Sequence, residues 1–256
     1  MSVNIFPIKA FNDNYIWTLT NQTHCVVVDP GDAAPVLEFC EKKQLTLCAI
    51  LITHHHWDHT GGIDALLSHF PNIPVYGPHN KTIKQITHRL SQDEQIVLPS
   101  LGLEFSIIEV PGHTLDHIAY YGDSGLFCGD TLFSAGCGRL FEGSPQQMFT
   151  SLAKLTALPA NTAVYCTHEY TLANIAFAEA AEPNNQALID YKLWAIQQRE
   201  NNNATLPTSI HQELAINPFL RCNSQELVTN VSQNMGVEVT SEQAVFASLR
   251  SWKDNF

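Results

Sequence analysis

The chain has 256 residues, of which 45% are hydrophobic and 15% charged, and its formal net charge is −12. This length and composition exclude a disordered or fibrous protein and suit one large globular domain, or one domain with an appendage. The acidity argues against nucleic acid as a partner, because phosphate contacts usually draw on a basic patch.

No membrane segment or secretory leader is expected, because no run is long and apolar enough and no basic stretch precedes an apolar one at the start. The seven cysteines form no CxxC pair, and their odd number excludes a complete disulfide framework. Reduced thiols in a cytoplasmic protein are the expectation.

The first two-thirds of the chain alternate strand-like and helix-like segments, which predicts an α/β fold with two sheets and helices outside them. The predicted strands are Asn4–Ile8, Ile16–Thr20, Cys25–Val28, Leu47–Ile52, Val75–Tyr76, Leu103–Val110, Ile118–Tyr121, Leu126–Cys128 and Ala163–Cys166. The predicted helices of this part are Ala33–Lys43, Ile63–Phe70 and Pro145–Leu158.

After His168 the pattern becomes helical, with helices predicted over Thr171–Ala181, Ala187–Arg199 and Ser241–Asp254. A polar loop from Glu200 to Pro207 separates two of them. The sequence therefore predicts a catalytic domain of residues 1–168 and a helical substrate-binding domain of residues 169–256.

The segment Thr53–His59 reads THHHWDH and follows a short apolar strand, at the point where open α/β sheets place their ligand sites. Imidazoles and a carboxylate in so short a span suit zinc, iron or manganese. The alternative is a His-rich surface loop, but the density of these side chains favours a metal site.

Three later strands each end at a further candidate ligand. Leu103–Val110 leads to His113, Leu126–Cys128 to Asp130, and Ala163–Cys166 to His168. Each residue alone is weak evidence, whereas the repeated order of strand and then ligand predicts that they complete the site.

These motifs, THHHWDH, PGHT, CGDTLF and THEY in this order, resemble the metallo-β-lactamase superfamily, and within it the hydroxyacylglutathione hydrolase (glyoxalase II) family. The resemblance extends over essentially the whole chain. It includes five further segments: FNDNY at 11–15, VDPG at 28–31, GCGRLFEG at 136–143, NPFLR at 217–221 and the ending LRSWKDNF at 249–256.

The resemblance implies the four-layer αββα sandwich of the superfamily with a C-terminal helical domain. It also implies two divalent metal ions, with zinc favoured over iron and manganese. The implied ligands are His54, His56 and His113 for one ion, Asp58, His59 and His168 for the other, and Asp130 with a hydroxide between them. Two such metal ions make hydroxide available at neutral pH to attack a thioester carbonyl. Asp58 is the implied catalytic residue, which orients this hydroxide.

The resemblance further implies that the substrate is S-(2-hydroxyacyl)glutathione, notably S-D-lactoylglutathione, in methylglyoxal detoxification. The implied substrate contacts are Arg139, Phe141, Tyr170, Arg250 and Lys253. For Arg250 and Lys253 the alternative is that they are solvated cations in the last turn of a helix. Phe141 stands where many family members carry Tyr, and Arg139 where others carry Lys, which bears on glutathione affinity.

Other functions stay open at this level. A persulfide dioxygenase of the same fold is the main alternative, although its relatives lack the long helical C-terminal part. A nuclease is disfavoured by the acidity, β-lactam hydrolysis by the bridging Asp130, and a non-catalytic module by the complete ligand set. The sequence leaves the metal and the acyl preference open, and a monomer is expected because no coiled-coil segment is present.

Overall fold

The computed structural model describes residues 3–236 and 238–256, and the chain divides into two compact units. Unit 1 comprises Met1–Glu109 and Asp116–Gly129, and unit 2 comprises Val110–Leu115 and Asp130–Phe256. The two units therefore alternate along the chain. A functional division at residues 168 and 169 stays a proposal.

The first sheet of unit 1 has six strands in the order β1-β2-β3-β4-β5-β6. Strands β1 to β3 are antiparallel, whereas β3 to β6 run parallel. Apolar and β-branched residues dominate β2 and β3, as buried strands require. The bounds are β1 Asn4–Ala10, β2 Asn14–Thr20, β3 His24–Val28, β4 Thr46–Leu51, β5 Val75–Pro78 and β6 His88–Leu90.

Three helices follow strands of this sheet: α1 (Ala34–Lys43), α2 (Trp57–Thr60) and α3 (Ile63–His69). α1 and α3 each bury two side chains, Val36 with Cys40 and Ile63 with Leu66, in one cluster with β4 residues such as Ile50. Each fully buried aliphatic side chain contributes about 1.5–3 kcal/mol. This packing holds the ends of β3 and β4 in place.

The second sheet of unit 1 is antiparallel, with the order β10-β9-β8-β7. The bounds are β7 Gln95–Leu98, β8 Leu103–Glu109, β9 Ile118–Gly122 and β10 Gly125–Gly129. The main-chain nitrogen of Ile118 donates to the carbonyl of Thr53 at 2.9 Å, which ties β9 to the His-rich segment.

Unit 2 is mostly helical. It begins with the short hairpin β11 (Leu132–Phe133) and β12 (Gly136–Cys137), and it holds the antiparallel pair β13 (Ala163–Cys166) and β14 (Thr208–Ser209). Its helices are α4 Pro145–Thr156, α5 Thr171–Ala181, α6 Gln186–Glu200, α7 Ile210–Ile216, α8 Gln225–Met235 and α9 Glu242–Asp254, with a 3-10 turn at Pro218–Leu220. Across the described residues, every helix is too short or too polar to cross a membrane.

The predicted strands and helices are all confirmed within a few residues. The elements that were not predicted are the helices α2, α7 and α8 and the short strands β6, β7, β11, β12 and β14. α8 buries only Leu227 and Val231, four residues apart, and most of its other residues are polar. Its boundary signals were present, since Ser224 caps its first turn and Gly236 ends it at a φ of 68°.

Candidate metal centre

In unit 1, the carboxyl ends of the parallel strands β3 and β4 bring Asp29 beside the His-rich segment. The main-chain nitrogen of Asp29 donates to Leu51 at 2.9 Å, and that of Thr53 donates to Asp29 Oδ1 at 2.7 Å. Both residues are buried. The polar segment therefore starts from a fixed position at the sheet edge.

The Asp29 carboxylate favours one tautomer of His59. Its Oδ2 lies 3.0 Å from His59 Nδ1, and both side chains are essentially fully buried. A negative charge this close favours the proton on Nδ1, which leaves the lone pair on Nε2. Nε2 lies 3.5 Å from Oδ2 of Asp58. Two hydrogen-bond acceptors that face each other repel, and a cation between them would remove this repulsion.

Asp29 fixes the tautomer of His54 indirectly, through the hydroxyl of Thr53. The Thr53 hydroxyl donates to Asp29 Oδ2 at 2.7 Å and therefore accepts from His54 Nδ1, 3.0 Å away. His54 Nε2 then keeps its lone pair and lies 3.1 Å from Nδ1 of His56. Asp29, His54 and His59 place one candidate ligand atom each within 4.8 Å of one another.

Asp58 is oriented from the first hairpin of the chain. Asn14, the first residue of β2, donates from Nδ2 to Asp58 Oδ2 at 3.1 Å. Asp58 and His59 both lie in the single helical turn α2, which begins at Trp57. This turn therefore carries two neighbouring candidate ligands. The sequence pattern alone indicated no helix here.

Two further histidines of unit 1 take other partners. His55 lies 2.9 Å from Asp116 through Nδ1, and Asn80 donates to the other oxygen of Asp116 at 2.8 Å. The ring of His117 stacks on that of His54, with centroids 4.5 Å apart and planes 15° apart. Both residues therefore support the His-rich segment.

In unit 2, His113 and His168 face the same carboxylate. Asp130 Oδ2 lies 3.4 Å from His113 Nε2 and 3.3 Å from His168 Nε2. His113 Nδ1 donates to the carbonyl of Arg139 at 2.7 Å, so its Nε2 is a lone pair directed at the carboxylate. A carboxylate and an imidazole lone pair repel unless a cation lies between them, and this donor set therefore fits a divalent metal.

Aromatic rings surround these ligands. Tyr170 stacks on His168, with centroids 4.6 Å and planes 4° apart, and Phe133 meets both rings edge to face. Phe141 stands edge-on to His113 at 5.3 Å and is 61% exposed. Two of the predicted substrate contacts thus lie directly against predicted metal ligands.

The predicted cations belong to the loop after β12 and to α9. Arg139 Nε lies 3.8 Å from Asp254, and Arg250 donates to Asp254 at 2.9 Å and to the Cys137 carbonyl at 3.1 Å. Arg250 is only 5% exposed, so the alternative of a solvated cation is wrong for this residue. It is a buried, oriented guanidinium.

Lys253 is the more unusual of the two cations on α9. Its ammonium donates to Asn174 Oδ1 and lies 5.7 Å from the centres of the Phe177 and Phe219 rings. Burial lowers the pKa of Lys253 from 10.5 to about 8. Lys253 is therefore held charged near neutral pH at a cost, which is typical of a residue that serves a ligand.

The sequence reasoning missed two residues that orient predicted ligands. Asp29 directly follows the strand Cys25–Val28, and this is the same order of strand and polar residue that singled out the other ligands. Asn14 lies in the FNDNY segment, which carried the resemblance without a role. The order of the parallel strands supplies the missing information, since it places Asp29 beside Thr53.

Sequence comparisons agree with this architecture. Residues 12–168 match the profile described as the metallo-beta-lactamase superfamily, and residues 169–256 match that described as the hydroxyacylglutathione hydrolase C-terminus. A curated hydroxyacylglutathione hydrolase of Nitrosomonas europaea is 52% identical, covering 99% of this chain and 97% of the relative. Another, of Aliivibrio salmonicida, is 54% identical, covering 98% and 99%.

Among solved structures, ETHE1 from Myxococcus xanthus superposes with a TM-score of 0.65 and 22% identity, covering 99% of this chain and 98% of that one. A likeness at this identity shows the fold alone. The expected α/β sandwich of the metallo-β-lactamase type with a C-terminal helical part is confirmed. Superfamily membership and the His/Asp clusters also imply binding of divalent metal ions. The chain belongs to the hydroxyacylglutathione hydrolase family of the metallo-β-lactamase superfamily.

Proposed function

We propose that the chain hydrolyses the thioester of S-(2-hydroxyacyl)glutathione, notably S-D-lactoylglutathione, to glutathione and a 2-hydroxy acid. The proposed role is in methylglyoxal detoxification. The observation that carries the proposal is the lone pair of His113, which a hydrogen bond from its other ring nitrogen to the Arg139 carbonyl directs at the Asp130 carboxylate. The full-length similarity to hydroxyacylglutathione hydrolases supports the substrate class.

The proposed ligands are those that the family resemblance implied. His54, His56 and His113 would hold one ion, Asp58, His59 and His168 would hold the second, and Asp130 would serve both. When bound, the two divalent ions would make hydroxide available at neutral pH and would polarise the carbonyl of the substrate. Zinc is the proposed metal, with iron and manganese also suited to these ligands.

The protein's own residues orient this chemistry. Asp58, held by Asn14, would orient the attacking hydroxide. Asp29 keeps His54 in the ligating tautomer through the Thr53 hydroxyl, and its charge favours the ligating tautomer of His59. No strong general acid is needed, because the departing glutathione thiolate is a good leaving group.

Glutathione is anionic and the chain carries a net charge of −12, so binding requires local cations. The proposed ligands of the glutathione carboxylates are Arg139, Arg250 and Lys253. The Cys137 carbonyl already orients Arg250, and the Asn174 side chain orients Lys253. Phe141 and Tyr170 are proposed to pack against the peptide. The division into a catalytic part, 1–168, and a substrate-binding part, 169–256, is proposed on the same grounds.

The persulfide dioxygenase alternative is disfavoured by residues 169–256, which match the hydrolase C-terminus. We further propose a monomer that works in the cytoplasm.

The test is turnover of S-D-lactoylglutathione by the metal-loaded protein, compared with His54→Ala and with His69→Ala as a matched control. His69 is an exposed histidine at the end of α3. We expect turnover in the wild type and the control, and a loss of at least about 100-fold in His54→Ala. A metal-loaded wild type without turnover would overturn the proposal.

A further inference from the structure

The turn between β1 and β2 contains a strained aromatic residue. Phe11 has a φ of 52°, in the left-handed region that glycine and asparagine occupy readily and bulky residues do not. Packing in the core does not offset this strain, because Phe11 is 46% exposed. A strained, exposed aromatic residue indicates a role for its ring.

A second exposed ring meets the first. Trp57 is 66% exposed, and its ring stands edge to face against that of Phe11 with centroids 4.9 Å apart. Large aromatic side chains normally bury most of their area. Phe11 and Trp57 together form an apolar surface, called here the aromatic pair.

The aromatic pair is fixed beside Asp58. Trp57 precedes Asp58 in sequence, and Asn14, at the end of the turn that carries Phe11, donates to the Asp58 carboxylate at 3.1 Å. Gly31 lies between Phe11 and the main chain of Asp58 and allows them to pack closely. A Cβ at this position would overlap the main-chain carbonyl of Asp58 and lie 2.8 Å from Phe11 Cε2. One turn therefore positions both the ring and the carboxylate.

We propose that the aromatic pair is the binding surface for the acyl group of the thioester, and that it makes the enzyme favour bulky apolar 2-hydroxyacyl groups. This inference rests on the proposed function. The rings bear no charge, so they suit the acyl chain and not the anionic glutathione. A protein partner is a poor occupant, because stable interfaces involve about 20–30 residues on each side.

The experiment compares kcat/KM for S-D-mandeloylglutathione, with a phenyl ring, and S-D-lactoylglutathione, with a methyl group. Trp57→Ala is expected to lower the mandeloyl-to-lactoyl ratio by about 10-fold, the lower end of the range for one apolar contact, because the ring is partly exposed. Leu193→Ala, at a 67% exposed position on α6, is the matched control and should leave the ratio unchanged. Inhibition constants of S-benzylglutathione and S-methylglutathione, which are not hydrolysed, should shift in the same direction.

Phe11→Gly removes the ring and relieves the backbone strain in one change, because glycine adopts the left-handed conformation without steric cost. We expect this variant to be at least as stable as the wild type and yet to lose selectivity for the mandeloyl group. A ratio within twofold of wild type in both Trp57→Ala and Phe11→Gly overturns the inference while leaving the thioesterase intact. A wild type that hydrolyses neither thioester overturns the proposed function and this inference together.

Discussion

Asp29 and His59 lie 3.0 Å apart through Oδ2 and Nδ1, in a part of unit 1 where neither side chain is accessible to solvent. The same carboxylate accepts from the main-chain nitrogen and the hydroxyl of Thr53, both at 2.7 Å. Two hydrogen-bond donors and one imidazole nitrogen thus converge on one acid at the end of β3. A carboxylate, which only accepts, satisfies both donors of Thr53, and its charge favours a proton on the facing nitrogen of His59.

Asp29→Asn should therefore weaken metal binding. Its amide replaces one acceptor oxygen by a donor, which then faces Thr53 or His59 and disturbs the ligating tautomer. We expect the metal affinity to fall by about 10–100-fold, as for other groups that orient metal-bound histidines. Competition with a chromophoric chelator measures this directly, and Asp64→Asn, at an exposed position on α3, is the control. Equal affinities in the two variants would contradict the role assigned to Asp29.

Phe141→Tyr should improve glutathione binding. Phe141 stands edge-on to His113, is 61% exposed, and has the Arg139 guanidinium 5.7 Å above its ring. A phenol at this position adds a hydrogen-bonding group toward the substrate, worth about 0.5–1.5 kcal/mol, or roughly a 2–10-fold lower KM. We expect kcat to stay constant, because the hydroxyl binds substrate and transition state alike. Phe6→Tyr, on β1, controls for added polarity, and an unchanged KM in Phe141→Tyr would count against a substrate contact.

Lys253→Met should stabilise the protein and impair substrate binding. Burial lowers the pKa of Lys253 in the folded state to about 8, below the unfolded value of 10.5. The stability linked to this residue is therefore present above pH 10.5 and is lost as pH falls toward 8. At pH 7 the variant avoids this cost, and we expect Tm to rise by about 2–4 °C or more.

Two measurements test the Lys253 prediction. The Tm advantage of the variant should shrink between pH 8 and pH 10.5, and its KM for S-D-lactoylglutathione should rise. Lys192→Met, which removes a partly exposed lysine paired with Glu179 at 2.6 Å, should show neither effect. A variant less stable than wild type at pH 7 would show that the ammonium is well compensated.

Local patterns in the sequence predict much of this protein, because its ligands follow apolar strands. His113, Asp130 and His168 each come shortly after a predicted strand that the structure contains. The contact between Asp29 and His59 was not predictable in this way, since it depends on β3 and β4 being parallel neighbours. The left-handed conformation of Phe11 was hidden too, because the residue type argues against it.

Glu213 on α7 provides a further test, through pH. Its carboxylate is fully buried and accepts from Ala135, Thr208 and Asn217 at 2.8–3.0 Å. Ala135, at a φ of 55°, lies in the hairpin that follows Asp130. Despite these bonds, burial raises the pKa of Glu213 from 4.5 to about 7.

Because the folded-state pKa is raised, the stability linked to Glu213 is fully present below pH 4.5 and is lost as pH rises through 7. Glu213→Gln does not titrate, so its stability relative to wild type should increase steadily between pH 5 and pH 8. The Thr208 hydroxyl can turn from donor to acceptor toward the new amide, which keeps the hairpin bonded. Urea unfolding across this pH range measures the difference, with Glu200→Gln, at the exposed end of α6, as control. Parallel stability curves for wild type and Glu213→Gln would mean that Glu213 ionises as readily in the fold as in the unfolded chain.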